Sequence, residues 1–303
     1  MLRHLAVQLQ VRRPFSVATR TKPFQVAIDG PAASGKSTTA KMVAQQLGFD
    51  YIDTGAFYRC ITLASLSKGI DPSDPANATQ ISDIAEQSRI ALQTIFSPPS
   101  TSIPGGAPEK QVLPLPTTRV FLDFKDVSSD IRTTTVSQHV SAVAAIGKVR
   151  EAVLQKVRSI GAGDNEQDLD MDASLLLPIK EGLVMDGRDI GTVILPHADL
   201  KVFLVADSRV RAERRLRELV RNELDPTPKN LDIDAVQRDL ERRDELDRTR
   251  KVSPLRKADD AMELDTSGLT IEEQVNVIVQ EVERRRRGVS APKLETRRAS
   301  HGV

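Results

Sequence analysis

Cysteine is nearly absent: Cys60 is the only one in 303 residues. A single thiol closes no intrachain disulfide and no zinc cage, which excludes a small stapled secreted fold. Tryptophan is missing and aromatic residues make up 3% of the chain, so base-stacking platforms have little to be built from. No apolar run approaches the ~18 residues that cross a bilayer as a helix, and no membrane partner is expected. Acidic residues are absent before Asp29, where Arg3, Arg12, Arg13, Arg20 and Lys22 stand, and Glu295 is the only one after residue 283. Between those basic ends the acids outnumber the bases by ten, although the whole chain carries a net charge of +1. Such a middle is a poor general binder of nucleic acid, whose phosphates demand an excess of base. The 39% of hydrophobic residues is enough to bury a core. At roughly 150 residues per domain, the length fits about two domains or one with a large insertion.

Residues 1–23 are rich in Arg and free of acid, with Leu2, Leu5, Leu9 and Val11 at near-helical spacing. This is the pattern of an amphipathic transit peptide and predicts the mitochondrial matrix as destination; a disordered leader on a cytoplasmic protein is the alternative. Residues 284–303 mix Arg, Ser, Gly and Pro and are expected to fray as a basic tail.

The middle alternates strand and helix. Residues 24–28 form a short apolar run ended by Asp29 and Gly30, as a buried parallel strand would be. Residues 37–47 carry Ala40, Val43, Ala44 and Leu47 at helical period, closed by Gly48. Further strands are expected at 49–52, 183–185, 201–205 and 261–264, and helices at 56–66, 208–222, 234–250 and 271–287. Five strands alternating with helices predict an α/β fold with a parallel sheet covered on both faces. Residues 71–181 interrupt this order and read as an inserted subdomain, with a strand at 120–124, a helix over 140–160, and loops at 97–116 and 161–173.

The sharpest motif is Gly30-Pro31-Ala32-Ala33-Ser34-Gly35-Lys36-Ser37, which matches G-x-x-x-x-G-K-[ST]. Backbone N–H groups of such a loop hold phosphate oxygens at the start of the following helix. Lys36 is expected to reach the β- and γ-phosphates and Ser37 to ligate Mg²⁺. The motif follows a strand and opens a helix, the context it needs. Two other segments follow strands on the same carboxyl edge: Asp53-Thr54-Gly55 with Arg59 a turn further on, and Asp186-Gly187-Arg188-Asp189. Each offers an arginine able to clamp a second phosphate bidentately. Arg243, Asp247 and Arg250 are spaced i, i+4, i+7 and are expected on one helix face.

Taken with the segments IDGPAASGKST, YIDTGAFYR, DIRTTTVSQHVSAVAAIGKVREAV, VMDGRDIGTVILPHADLKVFL and ERRDELDRTRKVSPL, the chain resembles the bacterial-type cytidylate (CMP/dCMP) kinases of the nucleoside monophosphate kinase group. These segments occur in order over most of residues 24–282. The resemblance implies a P-loop kinase with a core of 24–70 and 182–283, an enlarged NMP-binding insert at 71–181 and a short lid near 214–230. It implies ATP as donor, Mg²⁺, CMP or dCMP as acceptor, and a monomer without nucleic-acid partners. It places ATP on residues 30–38, including Thr38, and the acceptor phosphate on Arg59 and Arg188. Thr54, Arg150, Asp189 and Arg250 would surround the cytosine, and Ser141, Arg243 and Asp247 the sugar. Catalysis would rest on Lys36, Arg59 and Arg188, with a lid arginine from among Arg211, Arg214 and Arg215. The 97–116 and 161–181 segments look longer than the family pattern. Cys60 is expected to be a buried side chain rather than a nucleophile.

Two other readings are open. One is a P-loop kinase acting on UMP or another small acceptor. The other is an ATP-driven nucleic-acid-associated module using the Arg-rich ends, against which the acidic middle speaks.

Overall fold

The computed structural model describes residues 22–96, 116–162, 181–221 and 232–288. In chain order these form β1 (Phe24–Asp29), α1 (Lys36–Leu47), β2 (Asp50–Asp53), α2 (Thr54–Ser67) and α3 (Ala78–Gln87). Then come β3 (Ile90–Ile95), β4 (Thr117–Leu122), β5 (Lys125–Asp126), α4 (Thr134–Ala145) and α5 (Gly147–Ala162). The chain returns through β6 (Gly182–Gly187) to β7 (Leu200–Val205), α6 (Ser208–Arg221), α7 (Ile233–Thr249), β8 (Met262–Asp265) and α8 (Ile271–Arg286).

Five strands make one sheet in the order β2-β6-β1-β7-β8, parallel at every pairing. Alternation along β1 divides its side chains between two cores. Val26 and Ile28 pack with Ala40, Val43 and Ala44 of α1 and with Val275, Ile278 and Val282 of α8. Ala27 points the other way, with Leu183 and Met185 of β6, onto Ala56, Phe57 and Ile61 of α2. Both faces are therefore dry, which is why β1 reads as a continuous apolar run. Each fully buried Ile or Leu here contributes about 2 kcal/mol of transfer free energy.

The interruption between β2 and β6 shares that second core. Ile81 and Ile84 of α3, Val143 of α4, and Val149, Val153 and Val157 of α5 join the cluster of α2, while β3, β4 and β5 form a separate antiparallel sheet. Two expectations are corrected here. The helix expected over 140–160 is two helices, because Ile146 takes an extended conformation between α4 and α5. The strand expected at 120–124 runs from Thr117 to Leu122, and Asp123 and Phe124 turn at positive φ into β5. Part of the tail is also structured: Arg284, Arg285 and Arg286 are the last turn of α8, where Arg284 and Arg285 both pair with Glu281 at 2.7 Å. The leader, most of the two long loops, residues 222–230 of the expected lid and the tail beyond 288 lie outside the described residues.

The sheet's topology sets the place of the site. From β1 the chain steps over β6 to β2, whereas from β6 it steps over β1 to β7, so a crevice opens at the carboxyl ends of β1 and β6. Register brings Asp53 of β2 beside Asp186 of β6, and Asp29 of β1 beside Gly187.

Candidate active site

The loop from Gly30 to Gly35 joins β1 to α1. Gly30 has φ 150°, and a Cβ there would lie 2.3 Å from the Leu204 carbonyl oxygen of β7, so no side chain fits. Ala33 (φ 56°) and Gly35 (φ 91°) also take the left-handed region, bending the chain so that the first N–H groups of α1 face the crevice. Lys36 is buried, and its Nζ donates to Pro31 O at 2.5 Å and Ser34 Oγ at 3.3 Å. Burial, then the nearby Arg188, pulls its pKa well below the lysine range. Ser37 Oγ donates to Asp186 Oδ2 at 2.7 Å, and the Tyr51 hydroxyl donates to Asp186 Oδ1 at 2.7 Å. Burial, reinforced by the Asp53 carboxylate, raises Asp186 to about 6.

Opposite the loop, five arginines gather from α2, α5, α7 and the turn after β6. Arg59 on α2 donates to Ile131 O at 3.0 Å and Ser137 Oγ at 2.9 Å; burial lowers its pKa to about 10. Arg188, just past β6, donates its Nε to Asp247 Oδ2 at 2.8 Å. Burial opposes its charge, but Asp247 and other carboxylates outweigh it and hold the guanidinium above its ordinary pKa. Arg150 on α5 pairs with Asp189, donates to Ala144 O at 3.1 Å and lies over the Tyr58 ring. Arg250 approaches both Asp247, at 3.3 Å, and Asp189, at 3.9 Å. On α7, Arg243 shares with Arg150 and Arg250 a buried nitrogen that lacks a hydrogen-bond partner among the described residues. In Arg243 it is Nε, and burial and Arg188 lower that residue's pKa. A buried guanidinium with an open donor is costly unless an anion completes it.

All of these line one cleft of about 480 Å³, together with residues 32–38, Thr54, Ser141 and Arg215. Among the described residues, no histidine or cysteine lines it. Cys60 is buried on α2, and burial pushes its thiol up to about 12, so it carries no thiolate.

The sequence model of the family described as Cytidylate kinase matches residues 26–284. The chain belongs to the cytidylate kinase family. A cytidylate kinase of Chloroherpeton thalassium is 42% identical over 261 residues, covering 86% of this chain and 94% of that protein. One from Limosilactobacillus reuteri is 42% identical over 257 residues, 85% and 94% of the two chains. Another, from Bacillus licheniformis, is 38% identical over 264 residues, 87% and 98%.

Within this member of the family, every residue expected on the acceptor side borders the cleft: Thr54, Arg59, Ser141, Arg150, Arg188, Asp189, Arg243, Asp247 and Arg250. On the donor side Gly30 and Pro31 lie beneath it and do not line it. Arg250 does not continue the face of α7; it caps that helix in an extended conformation and donates to Ser253 O at 2.7 Å. Of the three candidate lid arginines only Arg215 lines the cleft. Arg214 donates to Thr266, and Arg211 is buried against Asp244. Asp186 was not singled out from the sequence for the donor side. An acid ending the strand beside the loop-bearing strand was the available signal.

Proposed function

We propose that this cytidylate kinase transfers the γ-phosphoryl group of ATP to CMP or dCMP, giving ADP and CDP or dCDP. The observation that carries the reading is a single cleft in which the phosphate loop faces Arg59, Arg188 and Arg243, whose Nε has no hydrogen-bond partner among the described residues. One wall offers backbone N–H groups for a triphosphate, and the other offers guanidinium groups for a monophosphate.

The attacking atom is an oxygen of the acceptor phosphate. A phosphate monoester is mostly a dianion at pH 7, its second pKa being ≈ 6, so it needs no general base. A site lined without histidine or cysteine suits that chemistry. The work is alignment and neutralisation of charge. Lys36 leaves its loop carbonyl for the donor's β- and γ-oxygens. Arg59 and Arg188 hold the acceptor phosphate in line, and Arg215 faces the same space to stabilise the charge spread over the transferring group. Asp189 and Arg150, locked as an ion pair, present fixed polar edges for the base, beside Thr54 and Arg250. Ser141, Arg243 and Asp247 lie where the sugar would sit.

The donor set also suits Mg²⁺. Ser37 Oγ and the Asp186 carboxylate are hard oxygen ligands 2.7 Å apart, and Mg²⁺ in such sites is held by one or two protein groups plus substrate phosphates. When bound, the ion would neutralise donor phosphate charge. The acid-free, Arg-rich composition of residues 1–23 supports import into the mitochondrial matrix, testable by fusing that segment to a fluorescent protein.

The reading is tested by coupled ADP release across CMP, dCMP, UMP and AMP. Turnover led by CMP and dCMP is expected; turnover led by UMP or AMP, or ADP release indifferent to the monophosphate, overturns it.

A further inference from the structure

A second buried ion pair stands outside the cleft, against the phosphate loop. Arg211 of α6 and Asp244 of α7 pair at 2.5 Å, with side chains 7% and 2% exposed. Between them they take both polar groups of residue 32. Ala32 N donates to Asp244 Oδ1 at 2.9 Å, and Arg211 NH1 donates to Ala32 O at 3.0 Å. Arg211 Nε also donates to Ala206 O at 3.2 Å, anchoring the pair to the end of β7. Ala32, Ala212, Val236 and Leu240 close around it as a small apolar cluster separate from the two main cores.

The pair does not touch the cleft, yet it is bonded to a residue that does. Its carboxylate sits between two acceptor-side residues on α7, one position after Arg243 and three before Asp247. Asp247 in turn holds Arg188. One helix therefore grips the donor loop through Asp244 and the acceptor site through Arg243 and Asp247.

We propose that Arg211 and Asp244 are a positioning pair that fastens the phosphate loop to α7, so that donor and acceptor nucleotides bind cooperatively. The inference rests on the cytidylate kinase reading and deepens it. Stability alone does not account for the arrangement, because a buried ion pair is commonly matched or surpassed by apolar residues of similar volume. What apolar residues cannot supply is a simultaneous grip on the N–H and C=O of one loop residue. A loop held in its phosphate-binding form by α7 passes any shift of that helix to the donor site, and coupling of this kind is reciprocal.

The test compares the parent with the double variant Arg211→Met, Asp244→Leu, whose side chains suit the surrounding apolar cluster. Calorimetry gives the affinity of CMP alone, of a non-hydrolysable ATP analogue alone, and of CMP with that analogue saturating. In the parent the analogue should tighten CMP by about tenfold, within the usual range for coupled sites. In the double variant, the analogue should bind about tenfold more weakly and CMP alone within about twofold of the parent, with the tightening lost. A purely structural role would lower the melting temperature and weaken both nucleotides alike, and that result overturns the proposal. So does a folded double variant that keeps the parent's coupling, or a parent that shows none. Should the double variant not fold, Arg211→Lys decides: its single ammonium cannot reach Ala32 O, Ala206 O and Asp244 together, so its coupling should fall by at least half, and unchanged coupling overturns the idea. Turnover of CMP by the parent, measured in parallel, tests the kinase reading independently of these affinities.

Discussion

The donor and acceptor halves of the cleft are built on opposite plans. The donor half is contiguous: residues 30–37 make one loop and the start of one helix, and what such a loop offers a phosphate is mainly backbone N–H groups. The acceptor half draws on α2, α4, α5, the turn after β6, and α7, and what it offers is charged and polar side chains. Backbone amides at a helix start are oriented by the fold of their own segment and need no counter-charge. Guanidinium groups are long and mobile, so each is aimed by a partner: Arg188 by Asp247, Arg150 by Asp189, Arg59 by Ile131 O and Ser137. A phosphate can be held by local chain geometry alone. Telling one monophosphate from another requires charges brought from distant elements and fixed in advance.

The comparison can be broken by substitutions that respect or violate the division. Lys36→Ala should have the largest effect, a fall in kcat of about 10³-fold or more, because it removes the cation that neutralises the transferring group. Its circular dichroism melt should match the parent, since the loss relieves a buried ammonium. Near-normal turnover in single-turnover assays would overturn the donor assignment. Arg215→Ala should come next, with kcat down about 10²-fold and both KM values little changed; a matching rise in either KM would make it a binding residue instead. Arg188→Ala should raise the KM for CMP by about 10- to 100-fold, the worth of lost charge-assisted bonds. The KM for ATP should stay within about threefold, and equal losses for the two substrates would erase the division between the halves.

The smallest effect concerns the joint between them. Asp29, at the end of β1, accepts from Ile190 N at 2.8 Å and Gly191 N at 2.7 Å beyond β6. Burial raises its pKa from 3.8 to about 6, despite those two bonds. Its folded pKa exceeds its unfolded one, so the folded state binds the proton more tightly. That contribution to stability is complete below about pH 4 and is lost as pH rises through about 6. The stability advantage of the parent over Asp29→Asn should therefore shrink between pH 4 and 6 and level off above it. Urea unfolding at pH 4, 5, 6 and 7 measures this, and a gap that widens with pH would contradict the sign.

The same division explains what could be read in advance. Residues 24–28 and 201–205 showed themselves as strands because both faces of a parallel sheet are buried, and their apolar runs needed no partner to be recognised. The phosphate loop was equally plain. Errors fell where distant contacts override local pattern. The periodicity over 140–160 is continuous, yet Ile146 breaks it so that α4 can meet α2 while α5 packs on α3. Arg211, Arg214 and Arg215 are indistinguishable as three arginines on one helix; their neighbours across space, Asp244, Thr266 and the open cleft, separate them.

Order along the chain was enough to specify the strand–loop–helix unit and the side of the sheet on which chemistry occurs, because backbone hydrogen bonding and two-residue alternation are short-range properties. Which arginine is spent on a carboxylate, which on a loop carbonyl, and which is left open for an anion emerged when residues from 32 to 250 met in one cleft. Charges act through space, and their pairing depends on distances that no spacing in the sequence encodes.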